Sequence, residues 1–203
     1  MQSVWCDVLV VGSGASGLSA AITAHYFGCQ VIVIEKQAVF GGTTARSGGW
    51  LWVPGNPLAA REGASDSIEA ARKYIAHQAG NHFDAGRVDA FLANAGKMVP
   101  FFEGNTEVKF AFGKDYPDYH PDHPGSVEQG RSIHTLPFDG RKLGRDLALL
   151  ARPMAESTFL GMGLNSGPDL KHFLNATRSV KSAAFVTSRI LAHGWAQFSA
   201  FSK

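Results

Sequence analysis

Apolar positions in the first 35 residues fall into three blocks of different period. Val4 to Val11 is a nearly unbroken, Val-rich run, the pattern of a short strand buried on both faces. Leu18, Ala21, Ile22 and Tyr26 then recur at helical spacing and stop at Gly28, a residue suited to a helix C-terminus. Val31-Ile32-Val33-Ile34 is a second β-branched run, closed by Glu35. Two buried strands joined by a helix predict a parallel βαβ unit, because parallel strands need a crossover connection.

Beyond Glu35 the pattern changes. Residues 41–57 carry Gly41, Gly42, Gly48, Gly49, Pro54, Gly55 and Pro57 and read as loop. A helix is predicted over 66–79, with Asp66 or Ser65 as cap, Glu69 in the first turn, and Ile68, Ala71 and Ile75 on its apolar face. A second is predicted over 84–102, where Val88, Phe91, Leu92, Ala95, Met98, Val99 and Phe102 share one stripe. Residues 107–112 alternate weakly, as in a strand. Residues 113–145, rich in Pro, Gly, Asp and His, read mostly as loop. From 146 the chain is patchily helical, interrupted by Gly161, Gly163 and Gly167. The predicted fold class is therefore α/β: an incomplete Rossmann-like βαβ unit within residues 1–60, then a mainly helical region with long loops over 61–203. No internal repeat or low-complexity tract is present.

Composition narrows the function classes. Of 203 residues, 45% are hydrophobic and 18% charged, with a net charge of +2. That suits a globular core rather than a disordered chain. The weak, scattered charge argues against nucleic-acid or anionic-membrane partners. No apolar run reaches the roughly 18 residues of a transmembrane helix. The amino terminus lacks the basic start and cleavage site of a signal peptide, so a cytoplasmic location is expected. Cys6 and Cys29 fit no metal or redox spacing. They read as buried small hydrophobes, the alternative being a disulfide between neighbouring strands.

Gly12-Ser13-Gly14-Ala15-Ser16-Gly17 supplies the first chemistry. It matches G-x-G-x-x-G directly after a strand and at the start of a helix. The first glycine permits the tight turn, the second lets a pyrophosphate approach the backbone, and the third lets helix pack on strand. The helix N-terminus offers N–H groups and a positive dipole end to the phosphates. Glu35, about 20 residues on, stands where a carboxylate meets the ribose hydroxyls. A carboxylate there repels a 2′-phosphate, which disfavours NADP and leaves NAD or FAD.

Glu35-Lys36, then Gly41-Gly42-Thr43-Thr44-Ala45-Arg46-Ser47-Gly48-Gly49 and Trp50-Leu51-Trp52-Val53-Pro54-Gly55, resemble the fumarate reductase and 3-ketosteroid Δ1-dehydrogenase group of flavoproteins. Tyr116-Pro117-Asp118-Tyr119-His120 and Gly130-Arg131-Ser132-Ile133 resemble the ketosteroid branch more than the fumarate reductase branch. The likeness is dense in 5–57 and 112–145. It implies FAD as cofactor, bound by residues 12–17, Glu35, Lys36, Gly41, Gly42, Thr43, Thr44, Ser47, Gly48 and Gly49. Gly41 to Thr44 would run along the pyrophosphate and ribityl chain, and Ser47 to Gly49 beside the reactive edge of the ring. Bare backbone and small hydroxyls suit a flat, bulky ring system.

The resemblance also implies that Tyr119 faces a steroid-like ketone. A free phenol has a pKa near 10 and is a poor base at neutral pH unless a neighbour lowers it. Tyr119 would act as such a neighbour or as a donor; the alternative is a packing tyrosine. Asp118, His120, Asp122 and His123 lack standard metal spacing and read as a solvated loop, so no metal is expected. Arg131 holds either an anion or a loop carboxylate. Relatives in this group are much longer, which implies an amino-terminal fragment inactive by itself. Three functions stay open: a ketosteroid-type dehydrogenase acting on a small-molecule substrate, a fumarate-reductase-type C=C reductase, and a non-catalytic nucleotide-binding remnant. The oligomeric state is not legible.

Overall fold

The computed structural model describes residues 3–164 and 168–201, so Gly167 lies outside the described residues. Contacts gather the chain into two compact units, Met1–Gly49 with Gly140–Lys203, and Trp50–Asp139. Residues 140–151 thus pack with the βαβ unit, which a linear division near residue 60 does not foresee.

In the first unit, β1 (Val8–Val11) and β2 (Val31–Ile34) pair in parallel, Val8 opposite Val31 and Val11 opposite Ile34. The connection is α1 (Ala15–Tyr26). The ladder continues past β1, where the Gly12 N–H donates to the Ile34 carbonyl at 2.8 Å. β1 is shorter than the apolar run, and Val4 and Trp5 are exposed. Val10 is buried, while Leu9, Val11, Val33 and Ile34 are exposed. Alternate residues of a strand point to opposite faces. α1 covers the Val10 face: a Cβ on Gly17 would lie 3.4 Å from Val10 Cγ1. The burial on both faces expected from the apolar runs is therefore realised on one face only among the described residues. Cys6 and Cys29 are both free and half-buried. Later in this unit, β6 (Thr158–Phe159) and β7 (Met162–Gly163) form a hairpin. Gly161 sits in its turn and Gly163 in its second strand, so both glycines mark a hairpin where the sequence reads as broken helix. α5 (Pro168–Leu174) and α6 (Val180–Phe201) follow.

The second unit sets helices beside a three-stranded antiparallel sheet of order β3-β5-β4: β3 (Trp50–Trp52), β4 (Phe110–Phe112) and β5 (Ser132–Thr135). Only β4 is anticipated as a strand. β3 and β5 are three and four residues long, too short to show a period against flanking Gly and Pro. Asn56 is the hub of this unit. Buried, it caps α2 (Pro57–Arg61) by accepting from the Ala59 N–H at 2.9 Å. Its amide donates to the Val53 and Gly130 carbonyls at 2.8 and 2.7 Å, which ties the approaches to β3 and β5. Pro57 at the first helical position suits that cap.

α3 (Ile68–Ala79) and α4 (Ala85–Asn105) match the two predicted helices within a few residues. Their buried faces include Ala71, Tyr74, Leu92, Ala95, Val99 and Phe102. The cap of α3 is Ser67, whose hydroxyl accepts from the Ala70 N–H, rather than Asp66 or Ser65. Asp66 is instead drawn inward by Arg131, a charge interaction invisible to a local reading of helix ends. No helix among the described residues is long and apolar enough to cross a membrane.

Candidate functional site

Ser13 organises the turn between β1 and α1. It is 2% exposed. Its N–H and hydroxyl both donate to Glu35 Oε2, at 3.0 and 2.5 Å. The same hydroxyl accepts from the Gly41 N–H at 3.0 Å. One side chain therefore joins the end of β1, the end of β2 and the start of the second glycine segment. Glu35 Oε1 also accepts from the Gln37 N–H. These bonds, that from the Ser13 side chain foremost, lower the Glu35 carboxyl from its ordinary value of 4.5 to about 2, because each favours the ionised form. A fixed anion thus closes β2 at every physiological pH.

This site yields the first expected outcome. In Ser13→Ala the strongest donor is gone, and the Glu35 carboxyl should titrate nearer 4.5, as read from its side-chain carbon shift by NMR. A folded-state value below the unfolded one adds stability above pH 4.5 that is lost as pH falls toward 2. The variant should show a flatter stability profile in that window; an unmoved titration would show that Ser13 does not hold Glu35.

The second glycine segment lies against the first. The Thr44 hydroxyl accepts from the Ala15 N–H, the first residue of α1, at 3.1 Å. A Cβ on Gly42 would meet Gly14 Cα at 3.3 Å. Gly41 has φ +106°, and a Cβ there would stand 2.7 Å from Ala45 Cβ, so this position requires glycine. Ser47 donates to the Thr44 carbonyl and accepts from the Gly49 N–H. Thr43, Gly48 and Lys36 are exposed. The back of this site comes from a segment that the sequence does not connect with it. Phe40 N–H donates to the Leu149 carbonyl at 2.7 Å, and the Ala151 N–H to the Phe40 carbonyl at 2.8 Å. A cleft is left, lined by Ser13, Ala15, Leu18, Phe40, Gly41 and Thr44, with Leu150 at its back. The available sequence signal is the apolar Leu149-Leu150-Ala151 after a polar stretch, which names no partner.

In Trp50–Asp139, Arg131 is 1% exposed. Its guanidinium donates to Asp66 Oδ1 from Nε and Nη2 at 3.0 and 2.7 Å, and to Asp118 Oδ2 from Nη1 at 2.8 Å. Of the two roles open to Arg131, the loop carboxylate is the one the structure uses. Tyr119 is 97% exposed, so its ring packs on nothing in its own unit. The His123 ring meets His77 edge-on with ring centroids 4.5 Å apart and stacks on His120 at 4.6 Å. Among the described residues no group of three or more His, Cys, Asp or Glu could hold a metal ion.

The FAD binding domain family model matches residues 7–192. The chain belongs to this family of flavoproteins. A 4-oxocyclohex-2-ene-1-carboxylate 5-dehydrogenase of Sinomonas cyclohexanicum is 41% identical over 191 residues, 94% of this chain and 32% of that protein. A 3-oxosteroid 1-dehydrogenase of Mycobacterium tuberculosis is 44% identical over 142 residues, 70% of this chain and 25% of that protein. Among solved structures, a 3-ketosteroid Δ1-dehydrogenase of Sterolibacterium denitrificans, in complex with 1,4-androstadiene-3,17-dione, superposes with a TM-score of 0.77 at 31% identity. That match covers 86% of this chain and 31% of the other. The chain thus spans about a third or less of the proteins it matches.

The residues of this FAD-binding domain fit the cofactor. A Cβ on Gly14 would meet nothing nearer than Thr44 Oγ1 at 3.9 Å, so the backbone at the start of α1 is open to a diphosphate. No side chain of its own caps that helix, and its N–H groups suit anionic oxygens. The ionised Glu35 suits ribose hydroxyls.

Proposed function

We propose that this FAD-binding domain serves a dehydrogenase of six-membered-ring ketones, of the 3-oxosteroid or oxocyclohexene-carboxylate kind. The observation that carries this reading is the 41% identity to a ring-ketone dehydrogenase over 94% of the chain. The 44% match to a 3-oxosteroid enzyme over 70% of the chain supports the same substrate class. Such a reaction removes a proton beside the ketone and a hydride from the adjacent carbon. Bound FAD supplies the hydride acceptor.

This chain's residues divide that work. The first-turn N–H groups of α1 and the backbone at Gly14 would receive the diphosphate, with Thr44 alongside. Glu35, held by Ser13, would receive the ribose. Lys36, Thr43 and the Ser47 to Gly49 stretch are the further positions proposed to line the cofactor. Tyr119 is the proposed catalytic residue, its phenol presented to solvent with no competing packing. It would donate to the ketone oxygen or assist a base, stabilising charge that develops as the α-proton leaves.

The test is Tyr119→Phe within the whole dehydrogenase that this domain serves, assayed as turnover of a 3-oxosteroid with FAD and an artificial electron acceptor. An acid–base contribution of this type is worth about 10²–10⁴-fold. The turnover number should fall by about that much while KM moves less than about threefold. An unaltered turnover number would remove Tyr119 from the chemistry.

A further inference from the structure

We propose that Tyr74 and Arg131 are positioning residues for Tyr119, acting through its two chain neighbours. The inference rests on the catalytic assignment of Tyr119 for its consequence, but not for its geometry.

Tyr119 lies in Pro117-Asp118-Tyr119-His120-Pro121. Prolines at both ends fix their own φ and push the preceding residues toward extended backbone. At 97% exposure, the ring itself has nothing to hold it. Its neighbours are held instead. Asp118 is 4% exposed and accepts from three directions: Arg131 Nη1 at 2.8 Å, Trp52 Nε1 at 2.7 Å and the Val127 N–H at 3.1 Å. Its own N–H returns a bond to the Val127 carbonyl. On the other side, the His120 N–H donates to Tyr74 Oη at 3.2 Å.

Both anchors end in one buried cluster. Tyr74 is 7% exposed. The Arg131 guanidinium lies over its ring at 5.9 Å and over Trp52 at 5.5 Å. Arg131 is locked in turn by Asp66. A buried ion pair is weak evidence for stability but a good means of fixing one arrangement. Here it fixes the backbone on each side of a phenol that projects freely. Held within hydrogen-bond reach of a substrate oxygen, such a group need not be ordered at the moment of reaction.

Tyr74→Phe tests this with least disturbance, because it deletes one oxygen and keeps the ring. The His120 amide should exchange with solvent about tenfold faster, given the worth of one hydrogen bond. Amides of Leu92 and Ile133, buried elsewhere in the unit, should stay within about twofold. With 3-fluorotyrosine incorporated, the Tyr119 fluorine signal should change line width. Turnover should fall several-fold at nearly constant KM, a split that a general loss of folded protein does not produce. Asp118→Asn, which keeps shape and removes the charge that Arg131 holds, should act in the same direction. An unchanged His120 amide and Tyr119 signal in Tyr74→Phe would overturn the proposal. So would faster exchange with turnover intact, provided Tyr119→Phe is slow. If Tyr119→Phe itself turns over normally, the catalytic assignment fails, and the exchange and fluorine signals alone decide whether the clamp exists.

Discussion

Arg131→Met is expected to unfold the Trp50–Asp139 unit at temperatures the parent tolerates. The side chains of Arg131, Asp66 and Asp118 are 1%, 5% and 1% exposed. Removing the cation leaves two carboxylates with nothing to offset the loss of their water. Breaking a buried ion pair from one side costs about 3–5 kcal/mol, a large fraction of the 5–15 kcal/mol that a domain commands. The methionine chain fills much of the volume, so lost packing is a minor part of the effect. Arg131→Lys should fall between, because a point charge cannot donate from three nitrogens in the fork that reaches both aspartates. Thermal melts of the three proteins, followed by circular dichroism, give the order. A melting midpoint for Arg131→Met within about 3 °C of the parent would show that the aspartates do not depend on the guanidinium. The exposed pair Arg72 and Asp89, 2.6 Å apart but about half exposed on both sides, provides the contrast. Solvent screens it, and Arg72→Met should change stability by less than about 1 kcal/mol.

The second large effect separates two glycines of one motif. Gly17→Ala places a Cβ 2.0 Å from the Gly12 carbonyl oxygen and 3.0 Å from its carbon. Both are backbone atoms, and Gly12 is itself tied to Ile34 across the sheet. The helix must lift from the strand or the turn must open. Overpacking costs about 1–3 kcal/mol in an ordinary core and more where backbone cannot give. Every 1.4 kcal/mol that falls on the bound form is a tenfold loss of affinity. Gly17→Ala should therefore bind FAD at least about a hundredfold more weakly and melt earlier. Gly14→Ala differs, because its Cβ enters open space beside Thr44 Oγ1 at 3.9 Å. It should leave the melting midpoint nearly unchanged while it weakens FAD binding, since the new methyl stands where the diphosphate approaches. FAD titration with flavin fluorescence, alongside melts, distinguishes them. Equal melting midpoints for the two variants would contradict the close strand–helix contact.

Much of this was legible beforehand because it is local. A Val-rich run, a glycine turn and a second β-branched run specify β1, α1 and β2 wherever they occur, since their hydrogen bonds close within 35 residues. Glu35 is legible for the same reason: its place follows from counting along the βαβ unit. α3 and α4 are long enough for their apolar stripes to repeat. β3 and β5 are not, and nothing local says that Trp50–Trp52 pairs with Ser132–Thr135. The resemblance to ketosteroid dehydrogenases likewise rests on contiguous motifs; the match to a 3-oxosteroid 1-dehydrogenase covers 70% of the chain, and the FAD binding domain match runs over residues 7–192.

What the sequence by itself determined is the dinucleotide-type turn, its acidic partner and the flavoprotein family, all encoded by residues near one another in the chain. Only the tertiary structure decided that Leu150 backs the glycine cleft, that Ser13 ties three segments together, and that Asp66 and Asp118 share one arginine 65 and 13 positions away. Those pairings are set by burial and charge compensation across distant segments. Several partners of suitable chemistry exist for each residue, and folding alone selects which of them meet.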